Sequence, residues 1–228
     1  MAKAKLAVSQ EMHERLIARE ADIKKHHSKL YYPFFKRMAD IFCSLGCLIV
    51  MLILLPFVVI AIKVDSKGPV FFSQPRVGQY GEIIRIHKFR TMCRDAEKLI
   101  DNSVFENKDN PFLQHEHDSR VTKVGAFLRK YSIDELPQLF CVLKGDMSFI
   151  GPRPFIEKET AVLNDEQLMR LAIKPGLTGL AQISGRNSLN LSERIAKDLE
   201  YSESMRPTLD IKILWRTIIS VIRKDGAS

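Results

Sequence analysis

The sequence predicts an α+β protein: a mainly helical small domain with one β-hairpin, attached to an N-terminal re-entrant membrane helix and to interfacial amphipathic helices. Three stretches carry this prediction. Residues 41–62 are apolar and uncharged, residues 66–91 contain two strand-like segments around a turn, and residues 209–223 place apolar side chains on one helical face. We therefore expect a small cytosolic domain fastened to a membrane surface.

Composition is compatible with one domain, or with one domain plus a membrane anchor. The chain has 228 residues and 46% hydrophobic content, and its 35 basic and 27 acidic residues give a net charge of +8. This charge favours phosphates, an anionic lipid surface or nucleic acid as partners, and does not choose among them. The four cysteines form no Cys-x-x-Cys pair, which argues against a disulfide framework or a zinc site and for a reducing compartment.

Three parts are predicted along the chain: an N-terminal arm over residues 1–35, a membrane segment over residues 36–65, and a membrane-associated cytosolic domain over residues 66–228. The arm mixes charged and apolar residues, and Leu16, Ile17 and Ile23 mark one face of a helix. We expect it to be amphipathic or loosely ordered.

The apolar run over residues 41–62 is long enough to cross a membrane. Its 22 residues would form a helix of about 33 Å, close to the thickness of a hydrocarbon core. An ordinary spanning helix is one interpretation. A re-entrant hairpin is favoured by Pro56, which removes a backbone hydrogen bond inside the run and bends the helix there.

Basic residues at both ends of the run also favour two cytoplasmic ends. They are Lys36, Arg37, Lys63 and Lys67. The run starts too late in the chain for an ordinary signal peptide, and no small-residue cleavage site follows it.

The domain after the run begins with a predicted β-hairpin. Its strands, VFFSQ and IIRIHKF, are rich in β-branched and aromatic residues and flank the turn-forming GQYGE. Residues 93–117 are polar and are expected to form a short helix and a loop. Thr122 is expected to cap a short helix over KVGAFLRKY.

Helices and loops alternate in the rest of the domain. A second helix is predicted through DELPQLFCVL, and the Gly- and Pro-rich loop GDMSFIGPRPF follows it. Residues 157–172 are helix-like, and KPGLTGLAQISGRN is a loop with strand character.

The last helix, over residues 209–223, has a distinct apolar face. The face consists of Ile211, Leu214, Trp215, Ile218, Ile219 and Ile222. Either this face lies in the lipid headgroup layer, which suits a tryptophan near cations, or it packs on the protein's own core.

Two adjacent carboxylates, Asp134 and Glu135, are the central candidates for chemistry. One interpretation is structural, because Ser132 and Glu135 fit a capping box and acids favour a helix N-terminus. The other is catalytic: a carboxylate among phosphate-binding cations can attack phosphorus, and a second carboxylate is a natural Mg²⁺ ligand.

Basic residues set among Gly and Pro turns favour the catalytic interpretation, because a guanidinium there can meet a phosphate in a fork. They are Lys88, Arg90, Arg129, Arg153 and Arg186. Competing site types lack support, since the sequence contains no Walker A, Gly-x-Gly-x-x-Gly, His-Glu-x-x-His, Gly-x-Ser-x-Gly or deaminase pattern.

Six segments stand in the order found in one known family. They are GPVFFSQPRVG, IHKFRTM with the following DAE, DSRVTKVGAFLRKYSIDELPQL, LKGDMSFIGPRP, KPGLTGLAQISGRN and DLEYSESMRPTLDIKIL. Together they closely resemble the monotopic polyprenyl-phosphate phosphoglycosyl transferases, also called bacterial sugar transferases. The resemblance covers roughly residues 36–224, and LRKxSxDELPQL followed by GPRP and PGLTGLAQ is its most specific part.

The resemblance implies an enzyme that transfers a sugar-1-phosphate from a UDP-sugar to a polyprenyl (undecaprenyl) phosphate and releases UMP. Its place would be the cytoplasmic face of the bacterial inner membrane, at the first membrane step of capsule, O-antigen, exopolysaccharide or other glycoconjugate synthesis. The implied partners are the two substrates and membrane lipids, and not nucleic acid; a homo-oligomer is left open.

The resemblance also implies roles for single residues. Asp134 would be the nucleophile that forms an aspartyl-phosphosugar, and Glu135, with Asp134, would belong to a site for the cofactor Mg²⁺. The family's phosphate- and nucleotide-contacting cations fall on Lys88, Arg129, Arg153 and Arg186. Gln138 and Gln182 match motif positions without an assigned role, and Asp210 matches an acid expected to be structural.

Two departures from the family pattern bear on these expectations. Leu55 stands where the family often has Ser before the helix-bending Pro, which leaves the depth and angle of the hairpin open. Cys141 stands where the family usually has Asn. Because larger members carry additional N-terminal membrane helices, we expect the chain to be a minimal form with an N-terminal arm.

Two other functions remain as alternatives. A non-catalytic membrane scaffold would bind anionic lipid or nucleic acid in a salt-sensitive way. A glycosyl transferase that attacks the anomeric carbon would release UDP instead of UMP.

Overall fold

The computed structural model describes residues 6–26, 34–96, 118–185 and 188–223. Its longer helices are α1 (Gln10–His26), α2 (Lys36–Asp65), α3 (Lys123–Lys130), α4 (Leu139–Lys144), α8 (Leu191–Ser204) and α9 (Pro207–Arg223). The shorter ones are α5 (Glu157–Thr160), α6 (Asp165–Leu168) and α7 (Leu180–Ile183), with 3₁₀ turns at Gln79–Gly81, Ile133–Gln138 and Met169–Ala172. The strands are β1 (Phe71–Val77), β2 (Ile83–Phe89), β3 (Ser148–Ile150) and β4 (Gly176–Thr178).

The fold is mainly helical, with the predicted β-hairpin. Strands β1 and β2 pair antiparallel from Phe71 opposite Phe89 to Val77 opposite Ile83. Gly81, with φ +81°, supplies the left-handed backbone that the connecting turn requires. The α+β, mainly helical prediction is therefore confirmed.

A second, parallel pair of strands joins two of the Gly- and Pro-rich loops. Ser148 of β3 lies opposite Gly176 of β4. A Cβ at Gly176 would collide with the backbone of Gly151, so glycine is needed for this close approach. The pairing brings the GPRP and PGLT segments side by side.

Helix α1 packs into the main core instead of forming a loose arm. Met12, Leu16 and Ile23 are buried there among side chains from later parts of the chain. The helix is amphipathic, one of the two alternatives expected, but Ile17 is 44% exposed and does not share one face with Leu16 and Ile23. Residues 10–26 are ordered, whereas the division of the chain at residue 35 stays a prediction.

Helix α2 is one continuous helix of 30 residues that passes through Pro56. Its buried positions recur at helical spacing on one face: Lys36, Asp40, Ser44, Met51, Val58 and Ile62. The opposite face is apolar and exposed, with Phe42 at 68% and Phe57 at 69%. Its length and mean hydropathy of 3.1 are sufficient to cross a membrane, and an exposed apolar face of this size marks a membrane-associated helix.

The first residues of α2 are fastened to the domain that contains the β-hairpin. Lys36 Nζ lies 2.8 Å from the Asp210 carboxylate and 3.0 Å from the Tyr201 hydroxyl. Arg37 donates to the carbonyls of Val142 and Leu143, each at 2.6 Å. The structural role expected for Asp210 is thereby confirmed.

The last residues of α2 are fastened to the same domain. Asp65 accepts a hydrogen bond of 2.9 Å from the backbone N–H of Val124, at the start of α3. The Arg90 guanidinium donates to the carbonyls of Ser66 and Lys67, at 2.6 and 3.1 Å. Both ends of α2 therefore contact the same domain, the one that contains the β-hairpin.

Helix α9 turns its apolar face outward. Asp210 and Ile213 are its buried residues, whereas Ile211, Trp215 and Ile222 are 66%, 64% and 71% exposed. Leu214 of this face packs against the main core, so the face is divided: core packing holds for Leu214, whereas Ile211, Trp215 and Ile222 are left exposed.

Two predicted helices differ in detail from the structure. Residues 157–172 divide into α5, α6 and a 3₁₀ turn, because Asn164 begins a new helix by accepting from the N–H of Gln167. The second predicted helix starts as the 3₁₀ turn Ile133–Gln138 before α4. Most of residues 93–117, with the helix and loop expected there, lie outside the described residues.

Candidate functional site

Asp134 and Glu135 lie on the 3₁₀ turn Ile133–Gln138, directly after α3. Thr122 caps α3 as predicted, since its hydroxyl accepts from the N–H of Gly125 at 3.0 Å. Ser132, however, has φ +54° and its side chain makes no capping hydrogen bond. The capping-box interpretation of Ser132 and Glu135 is therefore wrong, and the Glu135 side chain is directed to other partners.

Those partners are two cations from distant parts of the chain. Lys88 Nζ, on β2, lies 2.6 Å from Glu135 Oε1, and Arg153 Nη2, in the loop after β3, lies 3.3 Å from the same oxygen. Burial alone would raise the pKa of Glu135, but Lys88 and Arg153 hold it well below its usual range. Glu135 is thus ionised and paired.

Asp134 has different surroundings. It is 7% exposed, and no described residue donates a hydrogen bond to its carboxylate. Burial, followed by repulsion from Glu135, raises the pKa of Asp134, against the opposing effect of Lys88. A poorly hydrated carboxylate without a hydrogen-bond donor is a stronger nucleophile than a solvated one.

A small cleft, partly open to solvent, adjoins Glu135, whereas Asp134 is not among the residues that line it. It is lined by Arg76, Ile86, Lys88, Glu135, Gln138, Arg153, Pro154, Gly176 and Leu177. The structure therefore brings together four of the predicted residues, Lys88, Glu135, Gln138 and Arg153.

Sequence reasoning missed Arg76 as a member of this cleft. It lies on β1 within the QPRVG segment, which could have indicated it. Burial, with repulsion from Arg153, lowers the pKa of Arg76 to about 10, so the guanidinium remains charged at neutral pH.

Arg129 lies close enough to Asp134 to interact with it. Its Nε donates to the Thr91 hydroxyl at 2.9 Å. Burial lowers the pKa of Arg129, and the negative charge of Asp134 opposes that shift.

Arg90 and Gln182 are not brought to the cleft. The Arg90 guanidinium donates to the carbonyls of Ser66 and Lys67 at the end of α2. Its predicted contact with substrate has no geometric support. Both amide atoms of Gln182, on α7, are buried without a partner in the described part of the chain. Arg186 lies outside the described residues, and the substrate-binding role of all three stays a prediction.

The carboxylate pair is compatible with Mg²⁺. The described ranges contain no group of three or more His, Cys, Asp or Glu side chains that could hold a metal. Mg²⁺ nevertheless needs only one or two carboxylates when substrate phosphates and water complete its shell. Oxygens of Asp134 and the second carboxylate oxygen of Glu135 are available, because Lys88 and Arg153 contact Glu135 Oε1.

Comparison with known proteins relates this site to a family. The family model described as bacterial sugar transferase matches residues 31–224. The undecaprenyl-phosphate galactose phosphotransferase of Salmonella typhimurium strain LT2 is 37% identical over 94% of this chain and 45% of its own length. The UDP-glucose:undecaprenyl-phosphate glucose-1-phosphate transferase of Klebsiella pneumoniae is 41% identical over 81% of this chain and 39% of its own length.

A shorter relative is matched over most of both chains. The exopolysaccharide production protein ExoY of Rhizobium meliloti strain 1021 is 34% identical over 84% of this chain and 87% of its own length. The present chain spans less than half the length of the Salmonella and Klebsiella relatives. The family match extends over α2, the β-hairpin, the carboxylate pair and α9, and the chain belongs to the bacterial sugar transferase family.

Proposed function

We propose that this chain transfers a sugar-1-phosphate from a UDP-sugar to undecaprenyl phosphate and releases UMP. The observation that carries the proposal is the contrast within the carboxylate pair: Asp134 is buried and lacks a described donor, while Glu135 is paired with Lys88 and Arg153. The names of the Salmonella and Klebsiella relatives support the same substrates.

In the first step, a carboxylate oxygen of Asp134 attacks the sugar-bearing phosphorus of the donor. The bond between that phosphorus and the bridging oxygen breaks, and the bridging oxygen leaves with UMP. Asp134 then carries the phosphosugar as an acyl phosphate. Lys88 and Arg153 neutralise the charge that develops on the phosphate oxygens.

In the second step, a phosphate oxygen of the polyprenyl phosphate attacks the same phosphorus. The bond to Asp134 breaks, the carboxylate is regenerated, and the product is a polyprenyl-diphospho-sugar. The role of Lys88 and Arg153 is the same, because the charge again develops on that phosphoryl group.

Asp134 and Glu135 would hold the Mg²⁺, which when bound neutralises diphosphate charge. Two further contributions come from the chain itself. Burial keeps water away from Asp134, which protects the acyl phosphate from hydrolysis. Lys88 and Arg153 keep Glu135 ionised, as a metal ligand requires.

The proposed membrane geometry is a re-entrant α2 whose two ends stay on the cytoplasmic side. This proposal is supported by contacts of both ends of α2 with the same domain: Lys36 pairs with Asp210, and Asp65 accepts from the backbone N–H of Val124. The outward apolar face of α9, with Trp215, would lie in the headgroup layer. The reaction centre would then lie close to the phosphate of the lipid acceptor.

Nucleotide release tests the function. The purified protein is incubated with Mg²⁺, undecaprenyl phosphate and a panel of UDP-sugars, and the nucleotide is identified by chromatography. We expect UMP from at least one donor with the wild type and none with Asp134→Asn. Exposed Asp22→Asn, on α1, is the matched control and should retain activity.

Either of two results would overturn the mechanism. Release of UDP would place the chemistry at the anomeric carbon, and normal turnover by folded Asp134→Asn would exclude an aspartyl intermediate. Salt-sensitive vesicle binding without turnover of any donor would instead support a scaffold.

A further inference from the structure

The backbone around Arg153 is held by two arginines that belong to other elements. Arg170 Nη2 donates to the carbonyl of Arg153 at 2.7 Å, and Arg76 Nη1 donates to the carbonyl of Pro154 at 3.2 Å. On the other side, the N–H of Gly176 donates to the carbonyl of Pro152 at 2.8 Å. Three consecutive carbonyls of the Pro-Arg-Pro segment are therefore hydrogen-bonded.

Arg170 is the most deeply buried of these partners. Its side chain is 1% exposed and that of Asp198, on α8, is 3% exposed. Arg170 Nε and Nη2 lie 2.9 and 2.6 Å from the same oxygen, Asp198 Oδ2. The guanidinium carbon also lies 3.8 Å from the centre of the Phe155 ring.

One nitrogen links the ion pair to the site. Arg170 Nη2 donates both to Asp198 and to the Arg153 carbonyl, and Phe155 follows the Pro-Arg-Pro segment directly. Arg170 thus contacts the segment through its backbone and through the ring after it. Because the guanidinium is planar and its donors are fixed, Asp198 sets the direction in which Arg170 holds the segment.

A purely structural role does not account for these contacts fully. A buried ion pair is costly to desolvate and often contributes no more stability than apolar side chains of the same volume. What such a pair provides is fixed geometry. Here the fixed group is the backbone that carries Arg153, whose guanidinium lies 3.3 Å from Glu135.

We propose that Arg170, oriented by Asp198, is a positioning residue for transfer: it holds the Arg153 backbone so that the Arg153 guanidinium meets both Glu135 and the donor diphosphate. This inference rests on the proposed function. Arg170 acts through Arg153 and does not itself touch the substrate.

The test compares four proteins in the UMP-release assay: wild type, Arg170→Lys, Arg153→Lys and the double variant. Lysine keeps the charge of Arg170 but cannot bond Asp198 and the Arg153 carbonyl in the same fork. We expect Arg170→Lys to lower kcat/KM by roughly 10- to 100-fold, as small displacements of a catalytic group do. In the double variant, Arg170→Lys should add little to the loss caused by Arg153→Lys. Both changes impair the same contact of residue 153 with the donor diphosphate.

Two further variants separate positioning from loss of stability. Asp198→Asn keeps an acceptor for Arg170 and should lose less kcat/KM than Arg170→Lys. Arg19→Lys is the matched control, because Arg19 pairs at 2.8 Å with Glu203 on the same helix α8 but at the surface. It should leave kcat/KM unchanged, and thermal unfolding of every variant shows whether it is folded at the assay temperature.

The outcomes are distinct. Wild-type kcat/KM in folded Arg170→Lys, or losses that multiply in the double variant, would overturn the positioning role while leaving the transfer reaction intact. An unaffected Arg153→Lys would also overturn it. A wild-type protein that releases no UMP from any donor would overturn the proposed function and, with it, the role of Arg170.

Discussion

Asp134 and Glu135 are neighbours in the chain, yet their side chains occupy different electrostatic surroundings. Glu135 is stabilised as an anion by Lys88 and Arg153, whereas burial and the charge of Glu135 disfavour the anion of Asp134. Carboxyl groups whose pKa values are pushed apart can take separate roles, and this difference supports the proposal that Asp134, not Glu135, is the nucleophile.

This contrast predicts how activity depends on pH. Asp134 must be ionised to attack, and its pKa is raised above the ordinary 3.8, so activity is lost as the pH falls through that raised value. Lys88 favours the Asp134 anion; its removal raises the pKa further. We expect Lys88→Met to retain reduced activity, with the acid limb of kcat/KM moved to higher pH.

The measurement is a pH–rate profile in a buffer of constant ionic strength. Lys130→Met, at the exposed end of α3, is the control and should leave the acid limb in place. An unmoved limb in Lys88→Met, or one moved to lower pH, would contradict the assignment of Asp134 as the ionising group.

At the same scale, the sequence allowed the carboxylate pair and a set of candidate cations to be predicted, but not which of those cations contact the pair. The Gly- and Pro-rich surroundings of Lys88 and Arg153 predict phosphate-binding cations, and both residues contact Glu135. Similar surroundings predict the same role for Arg90, but its guanidinium donates to the backbone at the end of α2. Local sequence does not distinguish these cases, because the partner of each cation lies far away in the chain.

Among the elements, α2 combines predictable and unpredictable features. Its length and apolar composition follow from the sequence. The contacts of its flanking cations do not follow from the sequence. Lys36 is 8% exposed and pairs with Asp210, so it cannot reach lipid headgroups. Lys36 therefore does not indicate on which side of a membrane its end of α2 lies, and the proposed re-entrant geometry is supported instead by the contacts at both ends of α2.

The pair of Lys36 and Asp210 should stabilise the junction between α2 and α9. Lys36→Met would remove the Lys36 ammonium from buried Asp210, and we expect a loss of about 3–5 kcal/mol in unfolding free energy. In Lys36→Met with Asp210→Leu, no buried charge is left unpaired, and most of the loss should be recovered. Thermal unfolding in detergent measures both.

Lys25→Met is the control, since Lys25 and Asp22 form an exposed pair at 3.3 Å and such pairs contribute at most about 1 kcal/mol. A double variant as unstable as Lys36→Met alone would show that the ion pair is not what holds the junction.

For the whole molecule, the exposed apolar faces of α2 and α9 are the surfaces through which we expect the protein to contact a membrane. Trp215 is the single tryptophan of the chain and is 64% exposed on α9. We expect its fluorescence in liposomes to be quenched by lipids brominated near the headgroup more strongly than by lipids brominated near the chain end. Unbrominated liposomes are the control, and equal emission in all three would exclude an interfacial α9.

Much of the overall fold was predictable because the hairpin, α3 and α9 follow from local periodicity and capping. Contacts between distant segments were not. The docking of Met12 and Leu16 into the core depends on side chains far along the chain. The parallel pairing of β3 with β4 was missed because strands of three residues carry little pattern.

The fastening of α2 at both ends has a consequence for the lipid bilayer. In the proposed re-entrant geometry, the helix enters and leaves through one leaflet, so no hydrophilic part of the described chain has to be carried through the hydrocarbon. Insertion could then follow folding and would need no translocation channel. The helix would also add cross-sectional area to the cytoplasmic leaflet alone, and a crowded patch of such molecules would bend the membrane so that it bulges toward the cytoplasm.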